Sequence, residues 1–175
     1  MRQPAIAALL LIAGLTGCTT VNKLPVQRIA SARLNNAQGL PAGTAQVVAT
    51  GDQVTLTLVV AGLPQGTHGV HLHMVGQCLG PDFASAGGHL NPGGHQHGSA
   101  NPAGSHLGDL PNLETALGGT GTLTARLNGT PAEIAAALFD SDGAAIVVHA
   151  DADDYRTDPS GNSGKRIACG VLQRL

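Results

Sequence analysis

The chain has 175 residues, a formal net charge of -2, 42% hydrophobic but only 2% aromatic residues, and 11% charged residues. This is enough for one domain with a core of Val, Leu, Ile and Ala. It excludes a nucleic-acid binder, which would need a basic stripe against the phosphates.

The N-terminus reads as an export signal over residues 1–17: Arg2 supplies the positive charge, and Ala5 to Ile12 forms an apolar run too short to span a bilayer. Leu15-Thr16-Gly17-Cys18 resembles the bacterial lipoprotein processing box, in which the cysteine is lipidated and becomes the mature N-terminus. The alternative is plain secretion with a cysteine there by chance. Acyl chains on Cys18 would anchor the protein on a membrane surface, without spanning it. Thr19, where aspartate would retain a lipoprotein at the inner membrane, points to the outer membrane of a bacterial envelope. Setting Cys18 aside leaves Cys78 and Cys169, which are expected to pair in an oxidising compartment; two separate buried thiols are the alternative.

Residues 18–42 are expected to hold a tether and a first strand, Arg28 to Leu34. Ala45 to Thr50 and Gln53 to Val60 read as a hairpin about Gly51-Asp52, the second with strict alternation. Gly69 to Met74 is a further strand. Leu113–Leu117 and Thr120–Leu127 form a hairpin about Gly118-Gly119. Pro131 to Leu138 is a short helix or covered turn. Ala144–His149 and Arg166–Leu172 are the last strands. Seven or eight short strands with turn punctuation predict one all-β antiparallel sandwich or flattened barrel over residues 43–175.

Between His68 and Asp109 lie seven of the eight histidines, on a Gly- and Pro-rich stretch too long to be a plain connection. His71 and His73, two apart on a strand, project from one face and can reach one ion. His149, on another strand, can complete that group. His89, His97, His106 and Asp109 lie on the loop, and imidazoles with one carboxylate make a reasonable zinc set.

The residues His68–His73 (HGVHLH), Gly76–Cys78, Ser85–Pro92, His97-Gly98, His106–Leu110, Val148–Asp154 and Gly161–Val171 resemble the copper–zinc superoxide dismutases, in their exported bacterial branch. The resemblance covers most of residues 43–173. It implies a flattened eight-stranded Greek-key β-barrel, an immunoglobulin-like sandwich with two long loops. It implies copper ligands His71, His73, His89 and His149, and zinc ligands His89, His97, His106 and Asp109, with His89 bridging. Asp153 matches the carboxylate that links a copper ligand to a zinc ligand. Arg166 matches the arginine beside the open copper position, and Cys78 and Cys169 match the family disulfide. The implied reaction is dismutation of the superoxide anion to dioxygen and hydrogen peroxide, with one copper and one zinc per subunit, in the periplasm, and with a homodimer possible. A copper-binding lipoprotein without turnover is the alternative on the same scaffold.

Around these residues, His95 is expected to be a solvated loop residue and His68 a structural one. Strand alternation turns Met74 from the histidine face toward the core. Asp151, Asp154, Asp158 and Lys165 are expected on the solvated surface.

Overall fold

The computed structural model describes residues 24–175; the expected signal peptide and Cys18 lie outside that range. Ten strands and one helix are found there. Seven strands form an antiparallel path in the order β5 (Val70–His73), β8 (Ala145–His149), β9 (Arg166–Val171), β1 (Val26–Asn36), β2 (Pro41–Thr50), β3 (Gln53–Val60) and β7 (Gly121–Leu127). A short β10 (Gln173–Arg174) pairs with β1 beside this path. β4 (Gly66–His68) and β6 (Leu113–Thr115) form a separate two-stranded ladder. The result is a curled antiparallel sheet, the all-β architecture read from the sequence.

The strands follow from their alternation. In β3, Val54, Leu56, Leu58 and Val60 are buried while Thr55, Thr57 and Val59 face outward. The β2–β3 hairpin keeps an unbroken register from Gly43↔Val60 to Thr50↔Gln53, turning at Gly51 with φ +58°, a conformation glycine adopts without steric cost. β1 is an integral member of the sheet, paired with β2 along most of its length, with β10 at Ala30 and Ser31, and with β9 at its C-terminal end. The main core joins Leu34, Val47, Leu56, Leu58, Val70, Leu72, Ile146 and Val148, all buried. Helix α1 (Pro131–Leu138) starts at a capping box, in which the Thr130 side chain accepts from the Glu133 amide and the Glu133 side chain accepts from the Thr130 amide. It sets Ile134 and Leu138 into the core.

Two expectations are corrected. The strand expected over residues 69–74 is β5, shortened to Val70–His73 and paired with β8; an unexpected strand, β4, precedes it across Gly69 and pairs with β6. The chain changes partners there because Gly69 lies close against Ser163 and Asp153, where a Cβ would come within 2.8 Å of the Ser163 side chain. The hairpin expected over residues 113–127 keeps its turn, with Ala116 N–H donating to Thr120 O, but the ladder of β6 is with β4.

The outer face of β5, β8 and β9 is covered by the long loop. Phe83 and Ala86 pack there on Ala145, Val147 and Cys169, with Cys78 alongside, and Cys78 is disulfide-bonded to Cys169. On its other side β5 takes the loop as a partner: Leu72 N–H donates to Gly108 O, Leu90 N–H to Leu72 O, and Met74 N–H to Gly88 O. Gly108 is needed at this approach, because a Cβ there would collide with Leu72 O.

Candidate metal centre

With Val70 and Leu72 in the core, alternation puts His71 and His73 on the outer face of β5, beneath the loop. His149 ends β8, and His89 arrives from the loop opposite His73. One ligand atom from each of these four buried residues lies within 4.8 Å of the others. Each ring has one nitrogen engaged. His71 Nε2 meets Asp153 Oδ2 at 2.8 Å, His73 Nδ1 meets Gly87 O at 2.9 Å, His149 Nδ1 meets Gly164 O at 3.2 Å, and His89 Nδ1 meets Asp109 Oδ1 at 3.0 Å. The remaining atoms, His71 Nδ1 and Nε2 of His73, His89 and His149, are buried with no protein partner. Buried polar atoms are almost always satisfied. Four orphaned imidazole nitrogens in one place are a site made for a cation that takes nitrogen donors. Burial keeps the rings neutral: it pushes His73 down to about 2, His149 to about 3 and His89 to about 4, and it lowers His71 as well.

A second group forms around Asp109. Its Oδ1 lies 3.0 Å from His89 Nδ1, 3.0 Å from His97 Nδ1 and 3.1 Å from His106 Nδ1, and His106 Nδ1 lies 3.4 Å from His89 Nδ1. These separations suit the edges of a tetrahedron around zinc, about 3.3 Å for bonds of about 2.0 Å. His71, His89, His97 and Asp109 can bring one ligand atom each within 4.8 Å of the others, and His106 stands beside them. The other Asp109 oxygen, Oδ2, accepts from the Gly98 and His106 amides, both at 2.9 Å. Burial opposes ionisation of Asp109. The bonds from His89, Gly98 and His106 outweigh it and hold the carboxyl well below the usual range.

Asp153 joins the two groups: Oδ2 meets His71 Nε2, and Oδ1 meets His97 Nε2 at 3.0 Å. Asn112 holds Asp153 by its backbone, accepting from the Asp153 amide at 2.9 Å and donating to its carbonyl at 2.9 Å. Gly161 (φ +63°) lets the chain pass this carboxylate where a Cβ would collide with it.

The description "Copper/zinc superoxide dismutase (SODC)" belongs to the family that matches residues 41–172. A copper-zinc superoxide dismutase of Aquifex aeolicus is 40% identical over 149 residues, covering 82% of this chain and 86% of its own length. The chain belongs to the copper/zinc superoxide dismutase family. Among solved structures, a superoxide dismutase-like protein from Bacillus subtilis superposes with TM-score 0.74 at 36% identity, covering 84% of this chain and 100% of that one. The Cu/Zn superoxide dismutase from Brucella abortus gives 0.66 at 27% identity, covering 85% and 100%. Copper and zinc are therefore the metals of this dismutase fold, and both donor groups suit them.

The nitrogen group opens on a cavity of about 610 Å³ lined by His73, His89, His149, Met74 and Arg166 among others. Arg166, at the start of β9, is half-buried. Its guanidinium donates to Phe83 O at 2.6 Å and Gly87 O at 2.7 Å. Burial lowers its pKa, but a guanidinium stays charged in proteins. The same Gly87 carbonyl meets His73 Nδ1, so one loop residue sets both the arginine and a histidine of the nitrogen group.

Some surroundings of the dismutase centre are as expected and others differ. His68 is buried and structural, as expected, with its ring nitrogens 2.8 Å from His149 O and 2.9 Å from Pro64 O. Met74 is 47% exposed instead of core-facing, because β5 ends at His73 and alternation no longer governs the next residue. Asp158 is exposed but accepts the His97 amide at 2.7 Å. Asp154 accepts from the Arg156 and Thr157 amides and from Asn162, and so folds its loop. The His95 side chain is exposed as expected, yet its carbonyl accepts from His106 Nε2 at 3.1 Å. Asn91, which sequence reasoning passed over, holds that carbonyl: its Nδ2 donates to His95 O at 2.8 Å and its Oδ1 accepts from His95 N–H at 3.0 Å. The only local sign was an Asn before Pro in a loop. Groups that orient a metal-binding histidine are worth about 10–100-fold in metal affinity. Asn91→Ala is expected to weaken zinc by that factor in competition with a chelator; wild-type affinity would rule out the clamp.

Acid should destabilise the metal-free protein. Unfolded histidine titrates near ~6.5, whereas His89 is held at about 4 and His149 at about 3 in the fold. Between those values the unfolded chain binds more protons, so stability is present above about pH 6.5 and is lost as pH falls through the window. The slope approaches ~1.4 kcal/mol per pH unit for each such histidine. The urea midpoint of metal-free protein should fall clearly between pH 7 and pH 5, and equal midpoints would count against neutral burial of these rings.

Proposed function

We propose that the chain dismutates superoxide, with copper held by His71, His73, His89 and His149 and zinc by His89, His97, His106 and Asp109. The observation that carries this reading is the position of His89: its Nε2 is one of the four orphaned nitrogens, and its Nδ1 stands 3.0 Å from Asp109 in the second group. One imidazole thus belongs to both sites.

Copper held by these residues would supply one-electron redox chemistry, which zinc lacks. The protein's residues do the rest. Arg166 places a fixed positive charge in the cavity, where it draws and orients a small anion. The cavity admits the substrate to the side where His73, His89 and His149 present Nε2. Two protons are needed to convert the second superoxide to hydrogen peroxide. His89 Nε2 is the atom placed to hold one of them between half-reactions, since its other nitrogen remains tied to the Asp109 group. Asp153 keeps His71 and His97 oriented through their Nε2–H groups, which leaves their Nδ1 atoms to the metals.

The disulfide fits an exported protein. We place it in the bacterial envelope, with residues 1–17 as signal peptide and Cys18 as lipid anchor.

The test is superoxide decay by residues 24–175, with copper and zinc measured on the same sample. Decay in proportion to bound copper, abolished by removing that copper, is the expected result. Full copper with negligible decay would reject the reading. His89→Ala should uncouple the sites and release zinc more readily, and a variant with normal zinc retention would deny the bridge.

A further inference from the structure

The cavity mouth carries a donor that neither metal group uses. Met74 lies just beyond β5, and nearly half of it is exposed. Its side chain runs along Gly87 and Gly88: a Cβ on Gly87 would stand 3.1 Å from Met74 Cγ, and one on Gly88 3.9 Å from its Sδ. It lines the same cavity as His73, His89 and His149. Those three residues are only 1%, 8% and 3% exposed, and their Nε2 atoms have no protein partner. A thioether therefore stands on the water side of a cavity whose buried side is lined with free imidazole nitrogens.

The same cavity contains the Arg166 guanidinium, which suits an anionic substrate and opposes an entering cation. A copper ion on its way inward needs a ligand whose bond offsets that repulsion. Among the described residues the cavity's one carboxylate, Asp140, is an oxygen donor suited to harder ions, whereas thioether sulfur selects copper(I). We propose that Met74 is an entry ligand for copper(I), holding the ion at the cavity mouth before it passes to His73 and the buried imidazole group. This rests on the copper assignment above.

The experiment uses zinc-loaded, copper-free protein under anaerobic conditions, with copper(I) presented as its bathocuproine disulfonate complex and uptake followed by loss of that colour. Met74→Leu keeps the bulk of the side chain and removes the sulfur. It is expected to slow copper(I) uptake about tenfold, a barrier change of about 1.4 kcal/mol. Uptake of copper(II) from its glycine complex, and the final copper content, should be unchanged. Equal copper(I) rates in variant and wild type would overturn the inference. So would equal slowing of both oxidation states, which would mark a packing role. Because the chain's only other methionine is Met1, a methyl-labelled sample gives a second readout: the Met74 methyl resonance should shift with the first equivalent of silver(I), and an unmoved signal would also overturn it. Wild-type protein that takes up no copper at all would remove the copper assignment itself. Normal wild-type loading with an indifferent Met74→Leu would remove the entry site alone.

Discussion

Replacing Arg166 by glutamate should cut superoxide turnover by about 10- to 1000-fold at low ionic strength, the range over which electrostatic steering acts. The substitution turns the cavity's fixed positive charge into a negative one without touching any imidazole of the nitrogen group. The sign of the salt effect is the sharper readout. Attraction of an anion is screened by salt, so the wild type should slow as ionic strength rises; repulsion is screened too, so the variant should speed up. Copper content should stay near wild type. Some of the loss will be positional, because Arg166 also ties down Phe83 O and Gly87 O. Arg166→Lys separates the two effects, since it keeps the charge but loses the planar fork. Unchanged kinetics in Arg166→Glu would remove the arginine from the mechanism.

The second large effect concerns the Cys78–Cys169 disulfide, which closes a loop with a sequence separation of 91 residues. On the chain-entropy model such a closure contributes roughly 4–5 kcal/mol. At about 2–4 °C per kcal/mol for a chain of this size, the double variant Cys78→Ala, Cys169→Ala should melt roughly 10–20 °C lower. The loss should be accompanied by weaker metal retention. The bridge pins the segment carrying Phe83, Ala86 and Gly87 onto β8 and β9, and Gly87 O in turn supports His73 and Arg166. A melting temperature within a few degrees of wild type would mean that the loop is held by its other contacts.

The strands and the metal-binding groups were legible because both obey short-range rules. Two-residue alternation separates Val70 and Leu72 from His71 and His73, and it shows equally in Val54 to Val60. Imidazoles are rare enough that seven between His68 and Asp109 carry a signal. The misreadings arose where those rules stop. Met74 follows the last residue of β5, so alternation no longer fixes its face. The ladder of β6 goes to β4, not β7, and Gly66-Thr67-His68 carries no apolar alternation that would reveal a strand there. Nothing in the sequence marks out Asn91 or Asn112, and Asp158 is expected only on the solvated surface. Their use depends on contacts across 4, 41 and 61 positions of chain, and only the folded arrangement brings those together.

The loop that carries the metal-binding histidines also gives β5 its neighbour on the side away from β8, through Gly88, Leu90 and Gly108. A strand with one open row of amides and carbonyls is a template for another molecule's strand. Here that row is closed by residues adjoining His89, His106 and Asp109. Loss of zinc and of the disulfide therefore has a cost beyond catalysis, because it frees the loop and uncovers an adhesive border on the barrel. Protein stripped of both should self-associate under conditions in which the intact form stays dispersed.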